Sequence, residues 1–123
     1  MKITLFGRIP SKKNSKNIIQ RWWRTFIVSS KEYIKWENEQ IEYLWDTLTE
    51  TLDFLPPYKI EYKFYLPDKR KTDLSNKIES INDMLVKFWY IDDDNSNILQ
   101  ELHIYFMWVD KENPRCEITF TKT

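Results

Sequence analysis

The stretch TDLSNKIESINDMLVKFWYIDDDN, Thr72–Asn95, joins a helical apolar pattern to two groups of acidic residues. Apolar side chains at helical spacing predict a helix whose buried stripe is formed by Leu74, Ile78, Ile81, Leu85 and Phe88. Polar side chains share another face of this helix, at Asn76, at Glu79 or Ser80, and at Asp83. Asp73 opens the helix, and three aspartates, Asp92–Asp94, follow it. We therefore predict that this helix is central to the fold and carries the polar groups of a site.

Strand patterns lie on both sides of the central helix. Tyr58–Leu66 alternates apolar and polar residues, which predicts a half-buried strand. The same pattern predicts strands at Lys2–Arg8, Ile98–Val109 and Arg115–Lys122, whereas Ile18–Val28 is ambiguous and favours a strand. The alternation in Ile98–Val109 is lost towards its end. Gly7 is the only glycine, and its place late in the first strand suggests a bulge or a close backbone approach.

A first helix is predicted before Tyr58. Ser29 and Glu32 have the spacing of a capping box that opens a helix, and Pro56 with Pro57 ends it. The apolar stripe predicted for this helix consists of Ile34, Ile41, Leu44, Leu48 and Leu52. The acidic residues Glu37, Glu39, Glu42 and Asp46 fall largely off the stripe, and we expect them to form a solvated face.

The order of predicted elements is β, β, α, β, α, β, β within 123 residues, which is the size of one domain. No repeat, low-complexity tract or linker interrupts the chain. The sequence thus predicts a single α+β domain over residues 1–123, with a mixed, mostly antiparallel sheet and two helices packed on it.

Charge is balanced overall but uneven along the chain. Nineteen Lys and Arg residues equal nineteen Asp and Glu residues, so the net charge does not indicate a nucleic-acid partner. Every charged residue before Glu32 is basic, however, and the middle of the chain is acidic. This asymmetry is a weak indication of a polyanionic partner.

His103 and Cys116 are the only residues of their types. A single histidine excludes a multi-histidine metal site, and a single cysteine excludes any internal disulfide. Cys116 is expected to be a small buried side chain in a strand, in a reducing compartment. Met1–Phe6 is too short for a signal peptide, and no apolar run approaches the roughly 20 residues of a membrane span. We therefore expect a soluble cytoplasmic protein without a membrane partner.

Grouped carboxylates indicate a bound cation. At an effective dielectric constant near 20, two carboxylates 4 Å apart repel by about 4 kcal/mol. Gathering Asp73, Asp83 and Asp92–Asp94 in one place is therefore unfavourable unless a cation compensates. Mg²⁺ prefers oxygen ligands and is held by few carboxylates together with phosphate and water, and Mn²⁺ is an alternative. Simpler interpretations stay open: Asp73 as a helix cap, Asp83 as an exposed helix acid, and Asp92–Asn95 as a solvated turn.

Basic segments flank the acidic residues. Lys12, Lys13, Asn14 and Lys16 belong to a predicted loop at Pro10–Asn17, and Lys69, Arg70 and Lys71 belong to a turn before the central helix. Lysines and backbone amides in such segments bind phosphates, which predicts a DNA-contacting surface, while an ordinary solvated loop is the alternative. Trp22 and Trp23 between two arginines suit stacking on bases, although packing on the sheet or at a dimer contact is favoured.

A series of short motifs runs through nearly the whole chain in a fixed order. They are Gly7, Pro10 and Lys12-Lys13-Asn14; Tyr33 and Trp36; Pro67-Asp68-Lys69-Arg70; Asp73-Leu74-Ser75-Asn76, then Asp83 and Asp93-Asp94; and Pro114-Arg115. Each motif is weak alone, but the order and spacing together resemble the RusA-type Holliday junction resolvases.

The resemblance implies a homodimeric, Mg²⁺-dependent endonuclease that binds four-way DNA junctions and nicks opposing strands, in DNA recombination and repair. Two-fold symmetry suits a junction with two equivalent cleavage points. The catalytic residues implied by the resemblance are Asp73, Asn76, Asp83 and Asp94, and the implied metal ligands are Asp73, Asp83, Asp93 and Asp94, helped by Glu79. A one-residue deletion in the alignment would instead make Asp93 the second acid of the pair, with Asp92 as its neighbour.

Two positions depart from the family motif. Ser75 stands where a second aspartate is usual, and Glu79 stands where a lysine is usual. Glu79 is expected to supply the missing carboxylate, and Lys77 or a loop lysine the missing cation. If neither substitution is compensated, the protein is a branched-DNA-binding module that does not cut. A third hypothesis is a small structural or interaction protein with a partner surface at Trp22 and Trp23.

Overall fold

The computed structural model describes residues 2–10, 16–21, 24–29, 31–47, 54–88 and 90–123. Its elements in chain order are β1 (Lys2–Phe6), β2 (Lys16–Arg21), β3 (Arg24–Ser29), α1 (Lys31–Thr47), β4 (Tyr58–Leu66), α2 (Leu74–Lys87), β5 (Leu99–Val109) and β6 (Arg115–Lys122). Two helices and a mixed sheet in one small domain confirm the predicted α+β class.

Four strands form the main sheet in the order β1-β6-β4-β5. The β1–β6 and β6–β4 pairs are antiparallel, whereas β4 and β5 are parallel. Parallel neighbours need a crossover, and α2 supplies it between β4 and β5. The central helix of the sequence is therefore the connection that sets the sheet order.

The predicted single strand at Ile18–Val28 was wrong, because two antiparallel strands, β2 and β3, form a separate two-stranded sheet there. Lys16 is the first residue of β2, so the predicted loop at Pro10–Asn17 ends earlier than expected. Residues 11–15, 22 and 23, which include most of that loop and both tryptophans, lie outside the described residues.

Alternate residues of the sheet form the core. In β4, Tyr58, Ile60, Tyr62 and Phe64 are buried while the residues between them are half-buried, which confirms the predicted alternation. Their neighbours on β6 include Cys116, which is fully buried as expected. Each fully buried apolar side chain stabilises the fold by about 1.5–3 kcal/mol relative to exposure, so this layer is the main source of stability.

The central helix buries the stripe that the sequence predicts. Ile78, Ile81 and Leu85 are buried, and Leu74 and Phe88 are half-buried against the same core. Met84 is also fully buried, because it lies between Ile81 and Leu85 on the face that meets the sheet. The stripe holds α2 so that its polar face stays towards solvent.

The predicted apolar stripe of α1 is confirmed at Leu44 and is wrong at Ile34. Tyr33 and Trp36 are buried, whereas Ile34 is 46% exposed. Glu37 was expected on a solvated face, yet it is only 3% exposed. The rings of Tyr33 and Trp36 bury more apolar area than Ile34 would, and burial of the Glu37 carboxylate is tolerated because it is paired. The helix therefore turns these three side chains, and not Ile34, towards the core. Of the other predicted stripe positions, Leu44 is buried, Ile41 is half-buried, and Leu48 and Leu52 lie outside the described residues.

The start of α1 differs from the prediction, and the predicted end of the helix falls among residues 48–53, which lie outside the described residues. The helix begins at Lys31, and Ser29 is the last residue of β3, so Ser29 does not cap it.

Gly7 follows the last residue of β1 and has a φ of +82°, a left-handed conformation that favours glycine. Its N–H donates a hydrogen bond to the carbonyl of Pro114 at 2.8 Å. The predicted bulge or close backbone approach at Gly7 is therefore wrong: the β1–β6 register has no shift, nothing lies within 4 Å of a Cβ placed at Gly7, and the glycine instead makes a left-handed turn out of the sheet.

Candidate functional site

The N-terminus of α2 is organised by Asp73. Its Oδ1 accepts hydrogen bonds from the backbone N–H of Ser75 at 3.0 Å and from the Ser75 hydroxyl at 2.6 Å. Its Oδ2 accepts a hydrogen bond from the Asn76 amide at 3.1 Å. Asp73 is the helix N-cap, as one interpretation of the sequence held, and its charge suits the positive end of the helix dipole. The structure thus brings Asp73, Ser75 and Asn76 together in one hydrogen-bonded group, in which Asp73 and Ser75 are exposed.

The polar face of α2 is present as predicted. Glu79 is exposed, and Asn76 and Asp83 are half-buried, whereas Ser80 is fully buried. Glu79, and not Ser80, therefore belongs to this face. At a rise of 1.5 Å per residue, Asp73 and Asp83 are about 15 Å apart along the helix axis, too far for one ion to bind both.

The charge of Asp94 acts on Tyr62, at the contact between β4 and α2. The Tyr62 hydroxyl of β4 donates a hydrogen bond of 2.5 Å to Oδ1 of Asn82 on α2. Burial raises the pKa of Tyr62, and the negative charge of Asp94 adds to the increase. Glu79 adds in the same way to the raised pKa of Tyr33 in α1, after burial and the neighbouring Glu37. Asp94 and Glu79 therefore act on different tyrosines.

The aspartate-rich segment is a hydrogen-bonded turn. Asp93 accepts hydrogen bonds from the N–H of Asp94 at 2.8 Å and from the Asn95 amide at 2.9 Å. The bond from the Asp94 N–H is the main reason that the pKa of Asp93 is lowered. Asp92, Asp93 and Asp94 are all exposed. The solvated-turn interpretation describes this geometry.

The structure does not gather the acids as predicted. Across the described part of the chain, no three His, Cys, Asp or Glu side chains lie close enough together to hold a metal ion. The donor set available for Mg²⁺ is therefore small: one or two carboxylates, with Asn76 beside Asp73. That set still fits the ion, because Mg²⁺ is commonly held by one or two carboxylates and completed by substrate phosphate and water.

Asp68, which was not among the predicted site residues, stabilises the basic turn before α2. Asp68 accepts hydrogen bonds from Arg70, at 3.0 Å from Nε and 2.8 Å from Nη2, and Arg8 Nη1 is 4.0 Å from the same carboxylate. The Arg70 hydrogen bonds lower the pKa of Asp68. Lys69, Arg70 and Lys71 are exposed, so the turn presents cations to solvent.

A shallow cleft of about 270 Å³ connects the basic turn to the start of α2. Its lining consists of Leu66, Arg70, Lys71, Thr72, Leu74 and Phe106. Phe106 comes from β5, more than thirty residues later in the chain, and no motif singled it out. The cleft places two predicted DNA-binding residues directly before Asp73, with an aromatic ring opposite them.

Lys77 does not supply the missing cation. It is buried, and its Nζ donates a hydrogen bond to the carbonyl of Ile9. Burial, together with the charge of Arg8, lowers its pKa. The neighbouring Ser80 hydroxyl donates to the Pro10 carbonyl at 2.8 Å. Both side chains hold the segment that leads to Lys12, Lys13 and Asn14, which lie outside the described residues, while Lys16 is described only by its backbone.

Comparisons with known proteins identify no relative: no family model and no curated protein matches the chain. The RusA resemblance accordingly rests on the motifs themselves. In the described segments, neither helix combines the length and the apolar character that crossing a membrane requires.

Proposed function

We propose that the protein is a RusA-like, Mg²⁺-dependent endonuclease that nicks four-way DNA junctions in pairs as a homodimer. The observation that carries the proposal is the position of the Asp73–Asn76 group next to the basic cleft. A hard anionic oxygen ligand beside exposed Arg and Lys side chains suits a metal ion that meets a phosphodiester.

In this proposal Asp73 is a carboxylate that binds Mg²⁺, and Asp94 is the further metal ligand that the resemblance implies. Asn76 fixes the orientation of the Asp73 carboxylate through its 3.1 Å hydrogen bond, and Ser75 supports the other oxygen. When bound, Mg²⁺ would activate a water molecule and stabilise the charge that builds up on the cleaved phosphate. Asp83, Glu79 and Asp93 would contribute negative charge nearby without binding the same ion as Asp73.

The basic residues would bind the DNA backbone. Arg70 is preorganised by Asp68 and can still offer N–H groups to a phosphate, since a guanidinium has five donors. Lys69 and Lys71 extend the same turn. The other proposed DNA contacts are Lys12, Lys13, Asn14 and Lys16. Binding through such contacts depends strongly on salt concentration.

A second candidate function is junction binding without cleavage. It is favoured by the lack of a three-carboxylate group among the described residues and by Ser75 and Glu79 at their motif positions. Ser75 donates its hydroxyl hydrogen to Asp73, so it orders the first acid and adds no negative charge. The two candidates share a DNA surface and differ only in the metal-dependent step.

One experiment separates the candidates. A labelled four-way junction and a linear duplex of the same sequence are incubated with the protein in Mg²⁺ and, separately, in EDTA. Symmetric nicks in the junction that require Mg²⁺ support the nuclease. A salt-sensitive gel shift of the junction without nicks supports the binding module. Failure to bind or cut the junction contradicts both and leaves an interaction protein.

A further inference from the structure

The cleft beside the basic turn lies at the carboxyl ends of two parallel strands. Leu66 is the last residue of β4, Phe106 is near the end of β5, and Leu74 is the first residue of α2, which connects the two strands. All three residues line the cleft. In sheets that contain β-α-β units, ligands bind outside the carboxyl ends of the parallel strands. The topology therefore places this cleft where a ligand is expected.

The ring of Phe106 is exposed although it lies on the core side of the sheet. Phe106 pairs with Phe64 in the parallel register, so the two rings share a face of the sheet. Phe64 is 1% exposed, whereas Phe106 is 51% exposed. The core therefore ends at β4 in this region, and the ring on β5 is open to the cleft. An exposed aromatic ring that lines a cleft is available to contact a ligand.

The backbone on both sides of the cleft is held in place. The register between β4 and β5 shifts directly after Phe106, where Tyr65 pairs with Trp108. Beyond the strands, the N–H of Asp110 donates a hydrogen bond to the carbonyl of Leu66 at 2.8 Å, which ties the end of β5 to the end of β4. Irregular strand pairing of this kind often lies next to functional sites, where it changes the direction of a side chain.

The cleft combines an apolar floor with a cationic rim. Leu66, Leu74 and Phe106 are apolar, and Arg70 and Lys71 are exposed cations. None of the six lining residues is acidic. A ligand that suits both parts has a flat apolar body with a negative charge beside it. The volume of about 270 Å³ is below the roughly 300–1,000 Å³ of sites for drug-sized ligands, so it fits a single ring system.

We propose that the cleft binds one unstacked nucleobase of a DNA strand, stacked on Phe106, with the phosphate of the same nucleotide on Arg70 or Lys71. The inference rests on the proposed function, which supplies the DNA partner, and it adds the residue that recognises the branch point. A base that is already unpaired or unstacked enters a protein pocket at low cost, whereas a base in an intact duplex has to be unpaired first. Phe106 is thus the residue that favours a junction over duplex DNA.

The stacked base would lie next to the nucleotide that is cut. Asp73 stands in the chain between two lining residues, Thr72 and Leu74, and its carboxylate accepts a hydrogen bond from the Asn76 amide at 3.1 Å. A base held by Phe106 would therefore fix the position of the neighbouring phosphodiester relative to the proposed metal ligand. Selection of the substrate and its orientation for cleavage follow from the same contact.

The test measures DNA binding in EDTA, so that no strand is cut. The probes are a four-way junction and a duplex with one bulged thymidine, and the reference is the same duplex without the bulge. The wild type is expected to bind both probes more tightly than the reference. Phe106→Leu keeps an apolar side chain and removes the ring, so it should lower the affinity for both probes by about 5- to 140-fold. Its affinity for the intact duplex should stay within a factor of two.

Two further variants separate stacking from a general effect of the substitution. Phe106→Tyr retains a ring and should restore the preference for the bulged duplex and the junction. Ile104→Ala is the control, because Ile104 is 42% exposed on the same face of β5 but does not line the cleft. It should bind all three DNAs as the wild type does. Circular dichroism checks that the variants fold.

Photochemical cross-linking tests the contact itself. 5-Iodouracil in place of the bulged thymine couples on irradiation to an aromatic ring stacked on it, and mass spectrometry locates the coupled residue. The cross-link is expected at Phe106 in the wild type and should be lost in Phe106→Leu. Thymidine monophosphate is added as a competitor to test for a free nucleotide. Displacement of the bulged duplex at micromolar concentrations would assign the cleft to a free nucleotide and overturn the proposal.

The remaining outcomes separate this inference from the nuclease proposal. A wild type without a preference for the two probes, or a folded Phe106→Leu variant that retains that preference, overturns the stacking site. A protein that prefers junctions through Phe106 but cuts none supports the stacking site and refutes the nuclease. A Phe106→Leu variant that cuts junctions as selectively as the wild type does the reverse.

Discussion

Lys87 Nζ donates a hydrogen bond of 2.6 Å to Oε1 of Glu37, which ties the last turn of α2 to the middle of α1. The carboxylate is 3% exposed, whereas the ammonium reaches solvent. The bond therefore satisfies a buried anion with a cation that is only partly desolvated. Removing the cation leaves the anion buried without this partner.

Lys87→Ala should accordingly lower the free energy of unfolding by about 2 kcal/mol, because a buried charged acceptor loses one of its hydrogen bonds. Urea denaturation followed by circular dichroism measures the change. Lys35→Ala is the matched control, because Lys35 pairs with Glu39 at 3.9 Å on the exposed side of α1. Its effect should stay within about 0.5 kcal/mol. Equal losses in the two variants would show that the bond to Glu37 has no special weight.

Asp94→Asn should reduce junction cleavage by at least about 100-fold while leaving junction affinity within a factor of two, because it removes a proposed metal ligand. Cleavage rates and gel-shift affinities on the same junction measure the two effects. Asp92→Asn is the control: it lies in the same exposed turn and is no ligand in the ungapped alignment. Loss of cleavage with Asp92→Asn and normal cleavage with Asp94→Asn would contradict the assignment of the acid pair.

The sequence allowed the fold to be predicted where a local pattern was sufficient. In Tyr58–Leu66 one face of a strand is buried and the other is not, so burial follows the residue-by-residue alternation. The same is true of the apolar stripe of α2, from Ile78 to Leu85. The face of α1 could not be predicted this way, because the partner that makes burial of Glu37 tolerable, Lys87, is fifty residues away.

One part of the candidate site could likewise be predicted from local sequence, and another part could not. Asp73 and Asn76 are three residues apart, and their contact follows from helix geometry. The cleft depends on Phe106, which arrives there only because β5 lies parallel to β4. The loss of alternation at the end of Ile98–Val109 was visible in the sequence. The register shift between β4 and β5 in the same region could be found only from the pairing of the strands. The metal site implied by the resemblance stays a prediction.

The turn at Asp93 should make stability depend on pH. Hydrogen bonds, first of all the one from the Asp94 N–H, hold the pKa of Asp93 below its ordinary value of 3.8. A lowered pKa in the folded state means that the stabilisation is present above pH 3.8 and is lost as the pH falls through the lower folded-state value. Asp93→Ala should therefore be less stable than the wild type at pH 7, and the difference should shrink at pH 2.

Urea midpoints at the two pH values measure this difference. Ser96→Ala, in the same exposed turn region, changes no titrating group, so its difference from the wild type should be the same at both pH values. A difference for Asp93→Ala that stays constant between pH 7 and pH 2 would show that the carboxylate charge does not contribute to the turn.

Lys71→Gln should weaken junction binding and reduce its dependence on salt. Each phosphate contact that is lost lowers the slope of log affinity against log salt concentration by about one. Lys71 is exposed and lines the cleft next to Arg70, so its removal should delete one such contact without disturbing the core. Lys35→Gln removes the same charge from α1, where the side chain is 79% exposed and far from the cleft in sequence. Binding isotherms over a range of salt concentrations should give the lower slope only for Lys71→Gln, and identical slopes for the two variants would mean that the basic turn does not contact DNA.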